Sequence, residues 1–142
     1  MQSAANVPVV AHVIQQAVAP VFLLTGVGAI LSVLINRLGR VVDRYRMLDK
    51  TVDAKGSPHM KEMETLSRRA RLIHWAISLC TICALLICTV IAALFIGSEM
   101  GIDPSGIISM LFIAAMLALI SGLICFLREI ALATGNIEVR EK

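Results

Sequence analysis

Charge and aromatic side chains are both scarce in this chain of 142 residues: 16% of its residues are charged and 4% are aromatic. A soluble domain of this length needs a mixed charged surface, and so low a fraction argues against one. Histidine occurs only at His12, His59 and His74, and none has an evident triad partner. No glycine-rich phosphate loop or nucleotide motif appears, and the apolar stretches offer only hydroxyls, thiols and Asn36. Intramembrane catalysis needs a nucleophile, a base or a metal cluster, so neither an enzyme nor a cofactor is expected. A nucleic-acid partner is not expected either. The four cysteines, Cys80, Cys83, Cys88 and Cys125, all fall within apolar stretches. Cys80 and Cys83 have C-x-x-C spacing, but a zinc site needs four ligands and no second pair exists. They read as small apolar side chains, and no metal is expected.

What the chain has in abundance is apolar sequence, at 58% of residues. Three uncharged runs stand out: Ala17–Ile35, Leu79–Ser98 and Gly106–Leu127. Each has about 20 residues, enough at ~1.5 Å rise to cross a hydrocarbon layer ~30 Å thick. The expected class is therefore all-α, an integral membrane protein with three transmembrane helices. No Lys or Arg precedes the first run, while Arg37 and Arg40 follow it directly. It also exceeds the ~7–15 residues of a signal-peptide core, and reads as a retained, reverse-oriented anchor.

Basic residues set the expected topology. Ten of the thirteen Lys and Arg lie between Asn36 and Arg71, and the others are Arg128, Arg140 and Lys142. The connection Gly97–Ser105 has none and carries Glu99 and Asp103. Short loops rich in Lys and Arg stay cytoplasmic. The amino terminus and acidic loop are thus expected outside, and the basic segment and carboxyl tail inside. Trp75 falls at the inner end of the second span, where an indole favours the headgroup boundary. Gly97, Gly101, Pro104 and Gly106 mark a tight outer loop. Gly56-Ser57-Pro58 marks an inner tip, with Ser57 as cap and Pro58 in the first helical position.

The first span has no breaker before Leu48 other than Gly39. Its apolar residues Leu31, Leu34, Leu38, Val41, Tyr45 and Leu48 step by 3, 4, 3, 4 and 3. Met63, Leu66, Ala70, Ile73, Ile77 and Cys80 give a matching seam on the returning segment. The two seams predict that helices 1 and 2 extend into a cytoplasmic antiparallel coiled-coil hairpin, projecting ~20 Å over about 14 residues. Glu64 and Arg68 form an i,i+4 pair on its exposed side. The chain then divides into an outer amphipathic segment (1–19), first span (20–36), basic hairpin (37–71), second span (72–97), outer loop (98–106), third span (107–128) and cytoplasmic tail (129–142). In the first segment, Val10, Val13, Ile14, Ala17 and Val18 oppose His12, Gln15 and Gln16 before Pro20. It is expected as a separate or kinked interfacial helix, with His12 solvated.

A second stripe on helix 1 carries the hint of function. Thr25, Ala29, Ser32, Asn36, Gly39 and Asp43 step by 4, 3, 4, 3 and 4. They sit about 200° from the apolar seam, on the opposite face. Small and polar residues facing lipid would forfeit packing and hydrogen bonds, so such a face meets another helix or water. On the third span, Ala114, Ala118 and Gly122 offer a docking face, within one subunit or between subunits.

The run Asn36-Arg-Leu-Gly-Arg-Val-Val-Asp-Arg44, after a span opening with Ala19-Pro20, carries a resemblance. With Ser67-Arg-Arg-Ala-Arg-Leu72 and Phe126-Leu-Arg-Glu-Ile130, it resembles the bacterial family called domain of unknown function 2721. The resemblance runs from about Ile14 to Ala133, and the arginine-rich segment is its most specific part. It implies a small bacterial inner-membrane protein of about three helices and brings no activity.

Two readings of function follow. In the preferred one, a homo-oligomer places helix 1 at its centre as an ion-conducting pore. Thr25, Ala29, Ser32, Asn36, Gly39 and Asp43 would line the path or the subunit interface, and Phe22 would form an apolar constriction. Glu99 and Asp103 would raise cation density at the outer mouth. Arg37 and Arg40 complicate this, since a ring of arginines repels cations. The alternative is a non-conducting scaffold or adaptor. Its Arg37, Arg40, Arg44, Arg68, Arg69 and Arg71 would hold anionic lipid or a cytosolic protein. Asp43, Arg128 and Glu129 are candidates for structural ion pairs with the arginines, at a boundary where ionisable groups reach water. The expected partners are further copies of the chain, anionic lipid on the inner side, and a cytosolic protein.

Overall fold

The computed structural model consists of three helices: α1 (Gln2–Lys55), α2 (Met60–Met100) and α3 (Ser105–Glu141). It describes the backbone of residues 2–55 and 60–141, and the side chains of residues 7–50 and 62–135. The tip expected at Gly56-Ser57-Pro58 lies outside the described residues. So do the side chains of Lys55, Lys61 and Arg140.

Each helix contains a stretch long and apolar enough to cross a membrane: Val7–Lys50, Glu62–Met100 and Ser105–Gly135. At ~1.5 Å per residue all three outrun a ~30 Å hydrocarbon core. Only 17%, 22% and 17% of their most apolar windows is buried within the chain. Phe22, Leu85, Ile107, Met110, Leu117 and Leu127 are each 60% exposed or more. An apolar exterior of this extent is ruinous in water and normal against lipid tails.

The first helix runs unbroken through Pro8 and Pro20, where the sequence pointed to a separate or kinked segment. Proline removes an N–H and crowds the carbonyl four residues back, a cost that membrane helices offset by local adjustment and packing. Pro20 is buried, so packing partners are at hand.

The chain groups into two compact units. Unit 1 holds residues 1–30 and 80–119. Its buried residues are Val13, Ala17, Pro20 and Val27 of α1, Cys80, Cys83, Ile87, Val90 and Gly97 of α2, and Ala115 and Leu119 of α3. Cys80 and Cys83 are free thiols on this packed face of α2. Unit 2 holds residues 31–79 and 120–142. There α1 buries Leu34, Val41 and Leu48, α2 buries Leu66, Ile73 and Ala76, and α3 buries Gly122 and Glu129. The seven-residue spacing on α1 and α3, and the 7-then-3 spacing on α2, keep one narrow stripe of each helix inward. The flanking seam positions Leu31, Leu38, Met63, Ala70 and Ile77 are half-buried, while Tyr45 is exposed. On α3, Ala114 is exposed, Ala118 half-buried and Gly122 buried.

A four-residue turn joins α2 to α3. Gly101 has φ of 65°, a left-handed conformation in which a Cβ crowds the following carbonyl. The Ile102 amide donates to the Gly97 carbonyl at 3.2 Å, closing the end of α2. A Cβ on Gly97 would lie 2.6 Å from Cγ of Pro104, so this close approach requires glycine. The Ser105 amide donates to Oδ1 of Asp103 at 3.3 Å, and that of Ile108 to the Pro104 carbonyl at 2.9 Å. The first contact satisfies one of the free amides that open α3, and the second is the first regular bond of the helix.

Replacing Gly101 with Ala is expected to destabilise the protein by about 1 kcal/mol through the left-handed strain. Gly106→Ala, where a Cβ meets open space, is expected to be neutral or mildly stabilising. Thermal unfolding of the two variants in detergent micelles checks the contrast.

Candidate functional site

The charged ends of three helices meet in unit 2. Arg37 follows the first apolar run by two residues, and Glu129 follows the third run by two. Arg69 precedes the second span on α2. All three occupy inward or flanking positions of their helices, so helical periodicity brings them together. Glu129 is fully buried. The guanidinium of Arg37 donates to its Oε2 through Nε at 3.0 Å and Nη2 at 2.7 Å. Arg69 reaches the other carboxylate oxygen, with Nε donating to Oε1 at 3.1 Å and Nη2 in ion-pair contact with it at 3.0 Å. The side chains of Arg37 and Arg69 retain 33% and 22% exposure. Phe126, nearly one turn before Glu129, lies under the Arg37 guanidinium at 5.5 Å from its ring centre.

Taking a carboxylate out of water is costly unless its charge and lone pairs are both answered. Two guanidiniums supply that answer. Among the described residues no buried side-chain nitrogen or oxygen lacks a hydrogen-bond partner. The arrangement ties one residue from each helix to a single point. It acts as a register pin: sliding one helix by a residue turns its charge out of the cluster.

The other sequence-selected residues are placed as follows. Phe22, Thr25, Ala29, Ser32, Asn36, Gly39 and Asp43 are all exposed along one face of α1. Thr25 spends its hydroxyl on the Val21 carbonyl at 3.1 Å. Neither Ser32 nor Asn36 has a side-chain hydrogen bond among the described residues. Arg44 pairs with Glu62 across α1 and α2 at 3.3 Å, and Arg68 with Glu64 at 3.3 Å within α2. Both pairs are exposed and worth well under ~1 kcal/mol each. Arg40, Arg71, Arg128 and Asp43 are exposed, and none forms an ion pair among the described residues. Glu99 and Asp103 are exposed in unit 1, and Trp75 is 57% exposed. A groove of ≈ 360 Å³ in the same unit is lined by Val13, Gln16, Leu94, Ser98, Asp103 and Ser109, among others.

Sequence reasoning singled out Glu129 and the arginines but not which arginines meet it. It placed Glu129 at a boundary open to water, where the structure buries it completely. The signal that separates Arg37 and Arg69 from their neighbours is phase. Arg37 flanks buried Leu34 at i+3, and Arg69 flanks buried Leu66 at i+3. Arg40, Arg68 and Arg71 fall outside that face; Arg44, at i+3 from buried Val41, shares the phase of Arg37 one heptad further along α1 and meets Glu62 of α2 instead. Phe126 stands three residues before Glu129, a spacing that places both on one side of α3.

Three apolar helices of spanning length, with outward-facing apolar side chains, give this all-helical chain the make-up of a multi-pass membrane protein. The model of the family described as Protein of unknown function (DUF2721) matches residues 17–139, and the chain belongs to that family. No curated protein and no solved structure matches it.

Replacing Glu129 with Ala strands two facing guanidiniums and is expected to cost on the order of 3 kcal/mol. Glu64→Ala removes an exposed helix pair and is expected to cost less than ~0.5 kcal/mol. Denaturant unfolding in mixed micelles distinguishes them; equal costs contradict the pinning role.

Proposed function

We propose that the protein is a homo-oligomeric membrane assembly with α1 at its centre, and that the exposed stripe of α1 lines an ion-conducting path. One observation carries this reading. Ser32 and Asn36 sit on the outer face of an apolar helix with no side-chain partner among the described residues. A hydroxyl left unpaired in hydrocarbon, as for Ser32, costs on the order of a few kcal/mol, and the Asn36 amide sits at the edge of that layer. A second copy of the chain or a water-filled path removes that penalty. The charge pattern supports the same assignment. Arg37 directs its guanidinium to Glu129, away from the stripe, so one of the two arginines that oppose cation passage is accounted for. Arg40 is left for lipid phosphate or for Asp43 of a neighbouring copy. Phe22 supplies the apolar constriction one turn outward of Thr25, and exposed Glu99 and Asp103 concentrate cations at the outer mouth.

In this reading the basic ends of α1 and α2 form an antiparallel coiled-coil hairpin in the cytoplasm of a bacterial cell. The amino terminus is outside the inner membrane and the carboxyl tail inside, in accord with the Lys and Arg distribution. The buried seven-residue spacing of Leu34, Val41 and Leu48 against Leu66 and Ile73 supports the hairpin.

A scaffold or adaptor is the second reading, favoured by the exposure of Arg40 and Arg71 without ion-pair partners among the described residues. They would hold anionic lipid while the hairpin docks a cytosolic protein. Reconstituted liposomes decide between the two. Ser32→Leu and Asn36→Leu are expected to reduce cation flux to the level of empty liposomes, whereas removal of residues 51–60 is expected to leave it intact. Unchanged flux in both leucine variants overturns the pore. Loss of a cytosolic partner on removal of residues 51–60 establishes the adaptor.

A further inference from the structure

The cluster at Glu129 is not electrically closed. Two guanidiniums and one carboxylate leave one formal positive charge at a point where all three helices pass from apolar to charged sequence. The hydrogen bonds tell the same story. Each guanidinium carries five N–H donors. Arg37 and Arg69 both turn their Nε–Nη2 edges toward Glu129. Their Nη1 edges have no partner among the described residues. The two side chains also keep 33% and 22% of their surface open, while the carboxylate has none. An incoming anion therefore meets guanidinium donors and is shielded from the glutamate. Phe126 covers one face of Arg37 and holds the fork in place.

We infer that this open edge is a binding site for the phosphate of an anionic phospholipid in the leaflet at the arginine-bearing ends of the helices. Position and chemistry select this occupant. Arg37 and Glu129 each lie two residues beyond an uncharged run, at the depth where lipid phosphates sit. Guanidinium pairs bind phosphate through parallel N–H donors and are preferred for that geometry. The single excess charge favours a headgroup of net negative charge over a zwitterionic one. Exposed Arg44 and Arg68 have their charges answered by Glu62 and Glu64, whereas Arg40, Arg71 and Arg128 stand exposed without ion pairs among the described residues; the cluster differs from these because Glu129 and Phe126 hold its guanidiniums in a fixed fork. The inference rests on the membrane assignment and is independent of the pore.

The test is native mass spectrometry of the full chain in detergent micelles, titrated with phosphatidylglycerol or phosphatidylcholine. The wild-type protein is expected to retain phosphatidylglycerol in preference, and excess inorganic phosphate is expected not to displace it. Arg69→Gln leaves a neutral Arg37–Glu129 pair and is expected to lower the adduct roughly fivefold, one basic residue's worth beside an anionic lipid. Arg69→Lys is expected to restore much of it. Glu129→Gln removes the only negative charge and is expected to raise retention. Arg46→Gln deletes the same charge elsewhere and is expected to change nothing. Equal loss in Arg46→Gln and Arg69→Gln overturns the site in favour of general electrostatics. Loss in both Arg69→Gln and Glu129→Gln overturns it in favour of a purely structural cluster. Displacement by inorganic phosphate overturns the lipid assignment. Should Glu129→Gln fail to fold, Arg37→Gln takes its place: retention lowered as in Arg69→Gln with the unfolding midpoint unchanged supports the site, and retention that falls only together with the unfolding midpoint overturns it.

Discussion

A carboxylate sealed from solvent at the end of an apolar helix must have its charge answered, and in this protein that requirement governs unit 2. Glu129 accepts from Arg37 on α1 and Arg69 on α2, so one side chain of α3 fastens both other helices. Its net value against a well-packed apolar trio is modest, because desolvation offsets most of the attraction. Its value as a register device is larger. Lipid supplies little drive for apolar helices to prefer one another over their surroundings. Directional contacts must then choose among the many ways three such helices can slide and rotate.

The rest of the packing fits that view. Only a stripe of each helix is buried, at the seven-residue spacing seen in Leu34, Val41 and Leu48. The remaining apolar surface, from Phe22 to Leu127, faces outward. Small residues and back-bonded hydroxyls suit this setting. Thr25, Thr89 and Thr134 each donate to the carbonyl four residues earlier, so their polarity costs little against lipid. Ser32 and Asn36 show no such bond among the described residues. In the proposed assembly, a second copy or a water-filled path answers them.

Much of the architecture was legible in the residues themselves. The three uncharged runs gave three helices of spanning length, because length and the absence of charge are sufficient signals for that class. The seam positions Leu34, Val41, Leu48, Leu66 and Ile73 were also legible, since periodicity survives without knowledge of the partner. Gly97, Gly101 and Pro104 announced a tight turn, and the positive φ of Gly101 and the approach of Pro104 to Gly97 supply the reason. Tyr45 was misjudged as a seam residue: its apolar ring satisfied the pattern, yet it is 38% exposed. The helical continuity through Pro20 was hidden because a proline signals a break wherever packing is unknown. The pairing at Glu129 was only half visible. With ten basic residues between Asn36 and Arg71, composition cannot say which guanidinium reaches which acid; that depends on helix phase and on α3 standing beside both others.

The central claim is that α1 becomes complete only in the company of other copies. Native mass spectrometry of the protein released from lipid nanodiscs counts subunits per particle directly. Five or more identical subunits per particle is the predicted result, the number a ring with the Ser32 and Asn36 face inward requires. A particle that stays monomeric, dimeric or trimeric across the range of lipid-to-protein ratios would contradict the account and leave the polar stripe of α1 as a packing surface.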